Sequence, residues 1–385
     1  MSWPGATHRL TVSDWREAAR RALPRFVFEY VDGAAEDELG LARNRSALDA
    51  VTLAPRALRD TRQINPSIAF LGKRWAQPFA IAPTGLNGLV RPGGDRMGAA
   101  AAQAMGVPFV LSTASNERLE AVREAAPTGQ LWLQLYVMED RSIAEQMLRR
   151  ARMARFDALV LTVDVAVSGL RERDVRNGFK LPFKPTPSLV VDLLKHPAWS
   201  MRIAASGVPT FANMVEDPEA RMSAQAQAAL LARAMDRSLD WSSLRWLRQH
   251  WDGPLILKGL LHPDDARRAL KEGVDALIVS NHGARQLDLA PAAITQLPAI
   301  VDAVEHRLPV LMDSGIRRGA DVARALALGA QAVLIGRPVL YGLAVDGQAG
   351  IQSVLQTLAD ELARTLILLG EVDVDSLRAR RFAGT

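Results

Sequence analysis

The chain has 385 residues, 49% of them apolar, and its 47 lysines and arginines outnumber its 42 acidic residues for a net charge of +5. This length can bury a large core, either as two ordinary domains or as one large α/β barrel with an insertion. The absence of cysteine excludes disulfides, thiolate metal sites, iron–sulfur clusters and a cysteine nucleophile, and it favours a reducing cytoplasmic compartment.

The N-terminal segment predicts a helix that begins at Ser13 or Asp14, since either residue can cap the pattern that follows. This segment lacks the long apolar core of a secretory signal, and no apolar run approaches the roughly 20 residues that span a bilayer. We therefore expect a soluble or peripherally attached protein. Arginine is spread along the chain and not gathered into one tract, so nucleic acid is not an expected partner.

Eight short aliphatic runs recur along the chain, and each is continuously apolar, as a strand covered on both faces would be. Helical patterns at 140–156, 262–273 and 319–330 lie between such runs, with the spacing of repeated βα units. Eight units fit a closed (β/α)₈ TIM barrel better than a doubly wound sheet, which periodicity alone does not exclude. The predicted strands are 79–85, 107–113, 131–137, 158–164, 254–260, 276–282, 309–315 and 332–338.

The connection between Asp164 and Pro254 is far too long for a crossover, which predicts an insertion after the fourth strand. Its segment 181–225 mixes aliphatic and basic side chains. One interpretation is a disordered or barrel-capping loop, and the other is a segment that lies on an anionic membrane surface. The candidates for headgroup contact are Lys184, Lys195 and Arg202, and those for insertion into lipid are Val190, Leu193, Leu194 and Trp199.

The residues that close the apolar runs are candidates for the active site, which such barrels build at the C-terminal ends of their strands. A polar residue at one strand end is usually a turn residue or an ion-pair partner. Every run closes on such residues, however, and buried polar groups must find partners, so the joint pattern favours one functional rim. The candidates are Pro83, Thr84, Gly85, Ser112, Thr113, Gln134, Tyr136, Thr162, Asp164, Lys258, Ser280, His282, Asp313, Gly315, Gly336 and Arg337.

The last two strands close on 313–321 and 334–338, where barrels of this class bind phosphate through glycine amides and a helix start. Arg317 and Arg337 are candidates for bidentate contacts to that phosphate. The chain has no dinucleotide glycine fingerprint and no P-loop, which disfavours a nicotinamide dinucleotide on an open sheet. A mononucleotide-sized cofactor and a phosphorylated substrate both remain open.

None of the six histidines forms a helical HxxxH pair, so we predict no metal site. His282 closes the sixth strand and Asp164 closes the fourth, so the two side chains can meet as a base and its orienting carboxylate. Arg285 follows His282 by three residues and can clamp a carboxylate.

Motifs in a fixed order from about Leu10 to Leu377 resemble those of the FMN-dependent α-hydroxy-acid dehydrogenases and oxidases. They are QLYV (134–137), LTVD (161–164), KG (258–259), SNHGARQLD (280–288), DSGIRRG (313–319), ALALGA (325–330) and GRP (336–338). The resemblance implies one FMN-binding barrel domain over 1–385, interrupted by 181–225, that oxidises a 2-hydroxy acid to a 2-oxo acid. The implied FMN contacts are Pro83, Thr84, Gly85, Ser112, Gln134, Thr162, Lys258, Ser280, Asp313, Ser314, Gly315, Ile316, Arg317, Gly336 and Arg337.

The same resemblance implies the substrate-binding and catalytic residues. His282 is the base and Asp164 orients it, whereas Lys258 lies near the pyrimidine end of the flavin. The residues implied to hold the substrate carboxylate are Tyr30 and Arg285, and those implied near its hydroxyl are Tyr136 and Arg171.

Within the family, PTGLNG (83–88), VLSTASN (110–116), DVAVSGLRERD (164–174) and LRWLR (244–248) are most similar to bacterial members that oxidise (S)-mandelate to benzoylformate. Small-substrate oxidases typically carry bulkier residues where Gly85 and Ala114 stand, so this chain has room for an aromatic side chain. Members that oxidise L-lactate share the glycine. A quinone-linked L-lactate dehydrogenase and an oxygen-dependent 2-hydroxy-acid oxidase are therefore the alternatives.

In such dehydrogenases the insertion attaches the enzyme to the inner face of the cytoplasmic membrane, where quinone accepts the electrons, and the barrels usually form tetramers. Two interpretations lie outside this reaction class. A flavin-binding sensor without turnover is disfavoured, because the set of reactive residues is complete. Loss of catalysis would have left those positions free to change. A barrel without flavin that acts on a sugar phosphate could use the phosphate site at 313–337.

Overall fold

A closed barrel of eight parallel strands organises the computed structural model, which describes residues 9–178, 186–214 and 235–379. The strands are β1 Ile68–Phe70, β2 Lys73–Trp75, β3 Phe79–Ile81, β4 Phe109–Leu111, β5 Leu131–Leu135, β6 Ala158–Thr162, β7 Leu255–Leu260, β8 Ala276–Val279, β9 Val310–Met312 and β10 Ala332–Ile335. Strands β3 to β10 follow one another around the barrel, and β10 closes it by pairing Val333 with Phe79. Each predicted strand contains one barrel strand, so the predicted fold is confirmed.

Helices follow the barrel strands and cover their outer faces, as in a (β/α)₈ fold. In chain order the described helices are α1 Val12–Ala22, α2 Arg25–Asp32, α3 Leu39–Asp49, α4 Asn87–Val90, α5 Gly94–Ala104, α6 Leu119–Ala125, α7 Arg141–Met153, α8 Glu172–Arg176, α9 Pro187–Lys195, α10 Pro197–Ser206, α11 Trp241–His250, α12 Pro263–Lys271, α13 Ala293–Ala303, α14 Gly319–Ala327, α15 Arg337–Leu369 and α16 Val374–Ala379.

The barrel strands are buried on both faces, which explains why they are apolar except near their C-terminal ends. All five residues of β5 and all five of β6 are buried, and β6 pairs with β7 as far as Thr162 and Lys258. Helices cover the outer face and side chains fill the interior. Polar residues therefore begin where the strands reach the rim.

Helix α1 begins at Val12, before either predicted cap, so the prediction of Ser13 or Asp14 as the cap is wrong. Thr11 is the cap, and its hydroxyl accepts from the Asp14 amide at 3.2 Å. Asp14 reaches back to the Thr11 amide at 2.8 Å and completes a capping box. Asp14 therefore lies in the first turn of the helix and is not its N-cap.

A two-stranded hairpin, β1 and β2, lies at the N-terminal end of the barrel and was not predicted. Trp75 is fully buried between Phe70 and Trp132, with ring centroids 4.9 and 5.5 Å away. The side chain of Gln130, just before β5, donates to the Arg74 carbonyl at 2.8 Å. The hairpin therefore covers the end of the barrel opposite the rim that holds the candidate residues.

The described part of the insertion forms α9 and α10, and it corrects the prediction that Trp199 dips into lipid. The Trp199 side chain is buried against Phe26, with the rings edge to face at 5.8 Å, and its indole donates to the Leu89 carbonyl at 2.9 Å. The last carbonyls of α4 lack partners within that helix, and the Trp199 indole supplies a donor to one of them. Trp199 thus anchors the insertion on the barrel. Lys184 lies outside the described residues.

Other apolar side chains of the insertion remain on its surface. Val190 is 47% exposed, Leu194 is 74% exposed and Met201 is 66% exposed, whereas Leu193 is half-buried against the core. Within the described ranges, no helix has both the length and the apolar character needed to cross a bilayer.

Candidate active site

A cavity at the C-terminal ends of the barrel strands receives most of the predicted site residues. Four others lie just behind the residues that line the cavity and contact them: Gln134, Thr162, Asp164 and Ser280. The predicted residues that line the cavity are Tyr30, Pro83, Thr84, Gly85, Ser112, Ala114, Tyr136, Arg171, Lys258, His282, Arg285, Asp313, Ser314, Gly315, Ile316, Arg317, Gly336 and Arg337.

His282 and Asp164 meet in this cavity, with His282 Nδ1 2.9 Å from Asp164 Oδ1. Burial favours the neutral form of Asp164, but its electrostatic interactions with His282 and Lys258 and the hydrogen bond from His282 outweigh it. The pKa of Asp164 is therefore below its usual value. Because an ionised carboxylate only accepts hydrogen bonds, Nδ1 is the donor, and Nε2 is left for a substrate.

His282 lies in a turn whose backbone is left-handed at three consecutive residues. The φ angles are +57° at His282, +64° at Gly283 and +61° at Ala284, and two of these residues carry side chains. Surrounding groups hold the turn: the Ser314 hydroxyl accepts from the Gly283 amide at 3.0 Å, and the Ala35 amide donates to the Ala284 carbonyl at 2.8 Å. Such conformations persist only where neighbouring contacts stabilise them.

Lys258 is a buried cation held by two predicted site residues. Its ammonium donates to Ser280 Oγ at 2.9 Å and lies 3.1 Å from Asp313 Oδ2. Burial opposes the charge on Lys258, but the negative charges of Asp313 and Asp164 and the bond to Asp313 outweigh it and raise the pKa of Lys258. The side chain is therefore a fixed positive charge at the cavity wall.

Two arginines flank Tyr30 at the substrate side of the cavity. The guanidinium carbon of Arg285 lies 5.0 Å from the centre of the Tyr30 ring, and that of Arg171 lies 5.9 Å from it. Arg285 Nη1 donates to the carbonyls of Tyr30 and Gly33 at 2.8 and 2.9 Å. Burial, together with the nearby negative charge of Asp164, raises the pKa of the Tyr136 hydroxyl, so that hydroxyl stays protonated.

The two arginines predicted to clamp a phosphate differ in their contacts. Arg317 lies on the cavity wall and its Nη1 donates to the adjacent Ile316 carbonyl at 2.8 Å. Arg337 donates from Nε, Nη1 and Nη2 to the carbonyls of Val31, Gly283 and Gly33. Three of its five N–H groups are thus committed to the backbone, which the sequence did not indicate.

Gly85 and Ala114 are neighbours on the cavity wall. A Cβ atom added to Gly85 would lie 2.9 Å from the Ala114 Cβ, and the Leu86 amide donates to the Ala114 carbonyl at 3.1 Å. The two residues are therefore packed against each other, and a larger side chain at either position would displace its neighbour or take up volume in the cavity.

Several residues that support the site were missed by reasoning from strand ends. Asn44 and Asn281 exchange side-chain hydrogen bonds of 3.0 and 2.8 Å, which ties α3 to the turn that follows β8. Gln286 donates to the Val167 carbonyl at 2.8 Å and so holds the loop after Asp164. Asn281 and Gln286 stand inside the SNHGARQLD motif, so their position next to His282 was the available signal.

A family model described as FMN-dependent dehydrogenase matches residues 19–383. The chain belongs to the FMN-dependent dehydrogenase family. It is 45% identical over 367 residues to (S)-mandelate dehydrogenase of Pseudomonas putida, covering 95% of this chain and 92% of that one. It is 44% identical over 368 residues to L-lactate dehydrogenase of Caulobacter vibrioides, with coverage of 95% and 96%. The predicted family and its cofactor, FMN, are confirmed.

Solved structures agree with this assignment. A monotopic membrane protein, (S)-mandelate dehydrogenase, superposes with a TM-score of 0.93 at 44% identity and covers 97% of this chain and 98% of its own. A mandelate oxidase variant with (S)-mandelic acid superposes with a TM-score of 0.82 at 36% identity, with the same coverage of both chains.

Two side chains behind the cavity lining have donors that fit FMN. Gln134 Nε2 and Thr162 Oγ1 are buried and lack a hydrogen-bond partner within the part of the chain that the structure describes. Buried polar atoms of this kind are normally satisfied, and the carbonyls and ring nitrogens of a flavin would satisfy them. At the other end, a Cβ atom at Gly336 would make only ordinary contacts with Ala82 and Thr84, at 3.8 and 3.9 Å, and the start of α15 provides backbone amides for a phosphate.

Proposed function

We propose that this protein oxidises a 2-hydroxy acid to the 2-oxo acid, with (S)-mandelate as substrate and benzoylformate as product. The observation that carries the proposal is the His282–Asp164 pair, 2.9 Å apart, beside a cavity that also receives Arg285 and Tyr30. A substrate carboxylate requires a cationic fork, and the carbon that is oxidised requires a nearby base. One cavity contains both.

His282 is the base in this proposal. Asp164 accepts from Nδ1 and so directs Nε2 toward the substrate, where it takes up a proton. The ionised Asp164 then stabilises the imidazolium, because its low pKa keeps the negative charge in place. FMN, when bound, supplies the acceptor for the two electrons that leave the substrate.

We propose the FMN contacts predicted from the sequence and assign them to the two ends of the cofactor. Lys258 provides a fixed positive charge near the pyrimidine end, where negative charge develops. Arg317 and the backbone amides at Gly336 and Arg337 would hold the phosphate. The remaining proposed contacts are Pro83, Thr84, Gly85, Ser112, Gln134, Thr162, Ser280, Asp313, Ser314, Gly315 and Ile316.

Arg285 is the proposed partner of the substrate carboxylate, together with Tyr30. Both described bonds of Arg285 use Nη1, so Nε and Nη2 are the donors that remain for a carboxylate. Arg171 and Tyr136 lie on the same cavity wall, and we assign them to the substrate hydroxyl.

Mandelate is preferred to L-lactate because two small residues, Gly85 and Ala114, line the cavity where bulkier side chains would take up its volume. L-Lactate is the second candidate, since relatives that carry the two names are 45% and 44% identical to this chain. We expect Ala114→Trp to raise the KM for mandelate more than the KM for lactate, because the added side chain takes up cavity space that the phenyl ring of mandelate needs and that lactate does not use. An equal change for both acids would contradict the assignment of this space to the phenyl ring.

The decisive experiment is anaerobic reduction of the bound flavin by a panel of 2-hydroxy acids. We expect (S)-mandelate to bleach the flavin absorbance, with a higher kcat/KM than L-lactate and no reaction with (R)-mandelate. A purified protein without flavin, or a flavin that no 2-hydroxy acid reduces, would contradict the proposed reaction. Faster reduction by lactate would assign the protein to the second candidate.

We further propose a membrane quinone as the electron acceptor, with the protein held on the inner face of the cytoplasmic membrane as a homotetramer. The exposed apolar side chains of α9 and α10 support attachment, and a structural relative is described as a monotopic membrane protein. We expect a soluble quinone analogue to reoxidise the reduced protein faster than oxygen does. Faster reoxidation by oxygen would instead indicate an oxidase.

A further inference from the structure

Arg337 connects two backbone segments that carry different parts of the proposed site. Its Nη1 donates to the Gly283 carbonyl at 3.0 Å, next to His282, while its Nη2 donates to the Gly33 carbonyl at 2.7 Å. The Arg337 side chain is buried, with only 9% of the residue exposed. Hydrogen bonds from a buried cation to carbonyls are stronger than those between neutral groups.

The first segment is the left-handed turn from His282 to Ala284. Gly283 is packed so closely against Arg337 that a Cβ atom there would lie 2.7 Å from Nη1. The turn holds two non-glycine residues at positive φ, which is unfavourable in isolation. Arg337 contributes one of the hydrogen bonds that keep the turn, and with it His282, in this conformation.

The second segment is the C-terminal end of α2, where Tyr30 lies. Arg337 Nε donates to the Val31 carbonyl at 3.2 Å, and Arg285 Nη1 donates to the Tyr30 carbonyl at 2.8 Å. The last carbonyls of a helix lack partners within the helix and carry partial negative charge, which two guanidinium groups here neutralise. Both arginines also donate to the Gly33 carbonyl.

We propose that Arg337 is a positioning residue, and that its guanidinium holds the turn bearing His282 against the helix end bearing Tyr30. This rests on the proposed function, in which His282 is the base and Tyr30 binds the substrate. Its side chain is then not the phosphate clamp that the sequence indicated, although its backbone amide at the start of α15 keeps that role. The phosphate contact from a side chain falls to Arg317.

The test compares Arg337→Met with Arg317→Met in the flavin-loaded protein, because both substitutions remove a guanidinium and keep an unbranched apolar chain. The first readout is the Kd for FMN, from flavin fluorescence. We expect Arg337→Met to change it by less than about threefold, and Arg317→Met to raise it by about tenfold or more, since a charged hydrogen bond to phosphate is lost. If Arg337→Met does not fold, Arg337→Lys is used in its place, because lysine retains the positive charge but lacks the planar guanidinium.

The second readout is hydrogen–deuterium exchange, which does not depend on turnover. We expect segments 30–35 and 282–286 to exchange faster in Arg337→Met, while strand β5 is unchanged. The third is steady-state kinetics, in which the KM for the 2-hydroxy acid rises by about tenfold or more as Tyr30 and Arg285 lose their alignment. The pH profile of kcat should also shift, because His282 is less well oriented toward Asp164.

Unchanged exchange in both segments, or a large loss of FMN affinity with an unchanged KM, would overturn the proposal and return Arg337 to phosphate binding. Faster exchange with an unchanged KM would also contradict it. Failure of the proposed function is distinguishable, because wild-type flavin would then resist every 2-hydroxy acid while the exchange experiment still reports on the two segments.

Discussion

At the scale of single residues, His282 and Asp164 illustrate what a parallel barrel does for catalysis. The two residues are 118 positions apart in the chain, and their side chains approach to 2.9 Å because each directly follows a barrel strand. Strand ends converge on one rim, so residues that are distant in sequence become neighbours there. This convergence explains why strand-end residues were the useful candidates.

His282→Ala tests the assigned base. We expect kcat to fall by about 10²–10⁴-fold or more, because general-base catalysis contributes that much, while FMN remains bound. Stopped-flow reduction of the flavin measures the rate, and the flavin spectrum checks that the cofactor is retained. Near-normal reduction by (S)-mandelate in this variant would reject His282 as the base.

Arg337 and Trp199 make contacts that residue type alone does not indicate. An arginine after a glycine at a strand end suggested a phosphate clamp, and a tryptophan among basic residues suggested a membrane anchor. In the structure, Arg337 donates to three backbone carbonyls and Trp199 is buried against Phe26. Both side chains satisfy carbonyls of segments that are distant in the chain, and sequence does not reveal which carbonyls those are.

At the scale of elements, the continuous apolar runs predicted all eight barrel strands, because burial on both faces leaves no polar alternation. The hairpin β1–β2 was not predicted, since its strands are three residues long and Lys73 and Arg74 are exposed. Its stability comes from the packing of Trp75 on Phe70 and Trp132, a contact between separate elements.

Helix α5 carries a buried acid, Asp95, that links the start of α4 to the loop after β4. Asp95 Oδ1 accepts from Asn87 Nδ2 at 2.7 Å, and Oδ2 lies 2.7 Å from Ser115 Oγ. Burial raises the pKa of Asp95 to about 6, although the two hydrogen bonds oppose the shift. Ser115 Oγ has one proton but lies near two acceptors, Asp95 and the Glu117 carbonyl at 3.0 Å, so a protonated Asp95 satisfies both.

The pH dependence of stability tests this protonation. The folded pKa of Asp95 is raised, so its contribution is fully present below the unfolded value near 3.8 and is lost as the pH rises through about 6. We expect Asp95→Asn to be less stable than wild type, or equal to it, at pH 4, and to gain relative to it by up to about 3 kcal/mol between pH 4 and 7. Urea unfolding of the holoprotein measures the difference.

Asp32→Asn is the matched control, because Asp32 is also buried but accepts from both Arg16 and Tyr341. Burial raises the pKa of Asp32, yet those bonds and the Arg16 charge outweigh it and the net shift is downward. Its stabilisation is therefore lost only as the pH falls below the usual range of a carboxyl. We expect a nearly constant destabilisation between pH 5 and 7. Parallel profiles for the two variants would refute a protonated Asp95.

At the scale of the whole molecule, the insertion presents an apolar surface while its tryptophan holds it on the barrel. Leu194 and Met201 are 74% and 66% exposed on α9 and α10. Lys195 is exposed next to Leu194, which suits a surface with anionic lipid. The membrane attachment proposed above would therefore use α9 and α10.

Leu194→Gln combined with Met201→Gln tests the proposed attachment. We expect the double variant to pellet with anionic lipid vesicles at least about tenfold less than wild type, because each apolar side chain contributes to partitioning. Leu368→Gln is the control, since Leu368 is 69% exposed on α15, which is not part of the insertion. Equal loss of vesicle binding in both variants would argue against a specific membrane-facing surface.

By itself, the sequence determined the barrel, the family, the cofactor and the set of residues at the rim. These properties are local, because burial on both faces makes a strand apolar and reactive residues follow each strand directly. Tertiary structure decided what each side chain contacts, as with Arg337 on carbonyls of α2 and Trp199 on Leu89. Hydrogen-bond partners from distant segments compete for every polar atom, and only the folded chain determines which of them is within reach.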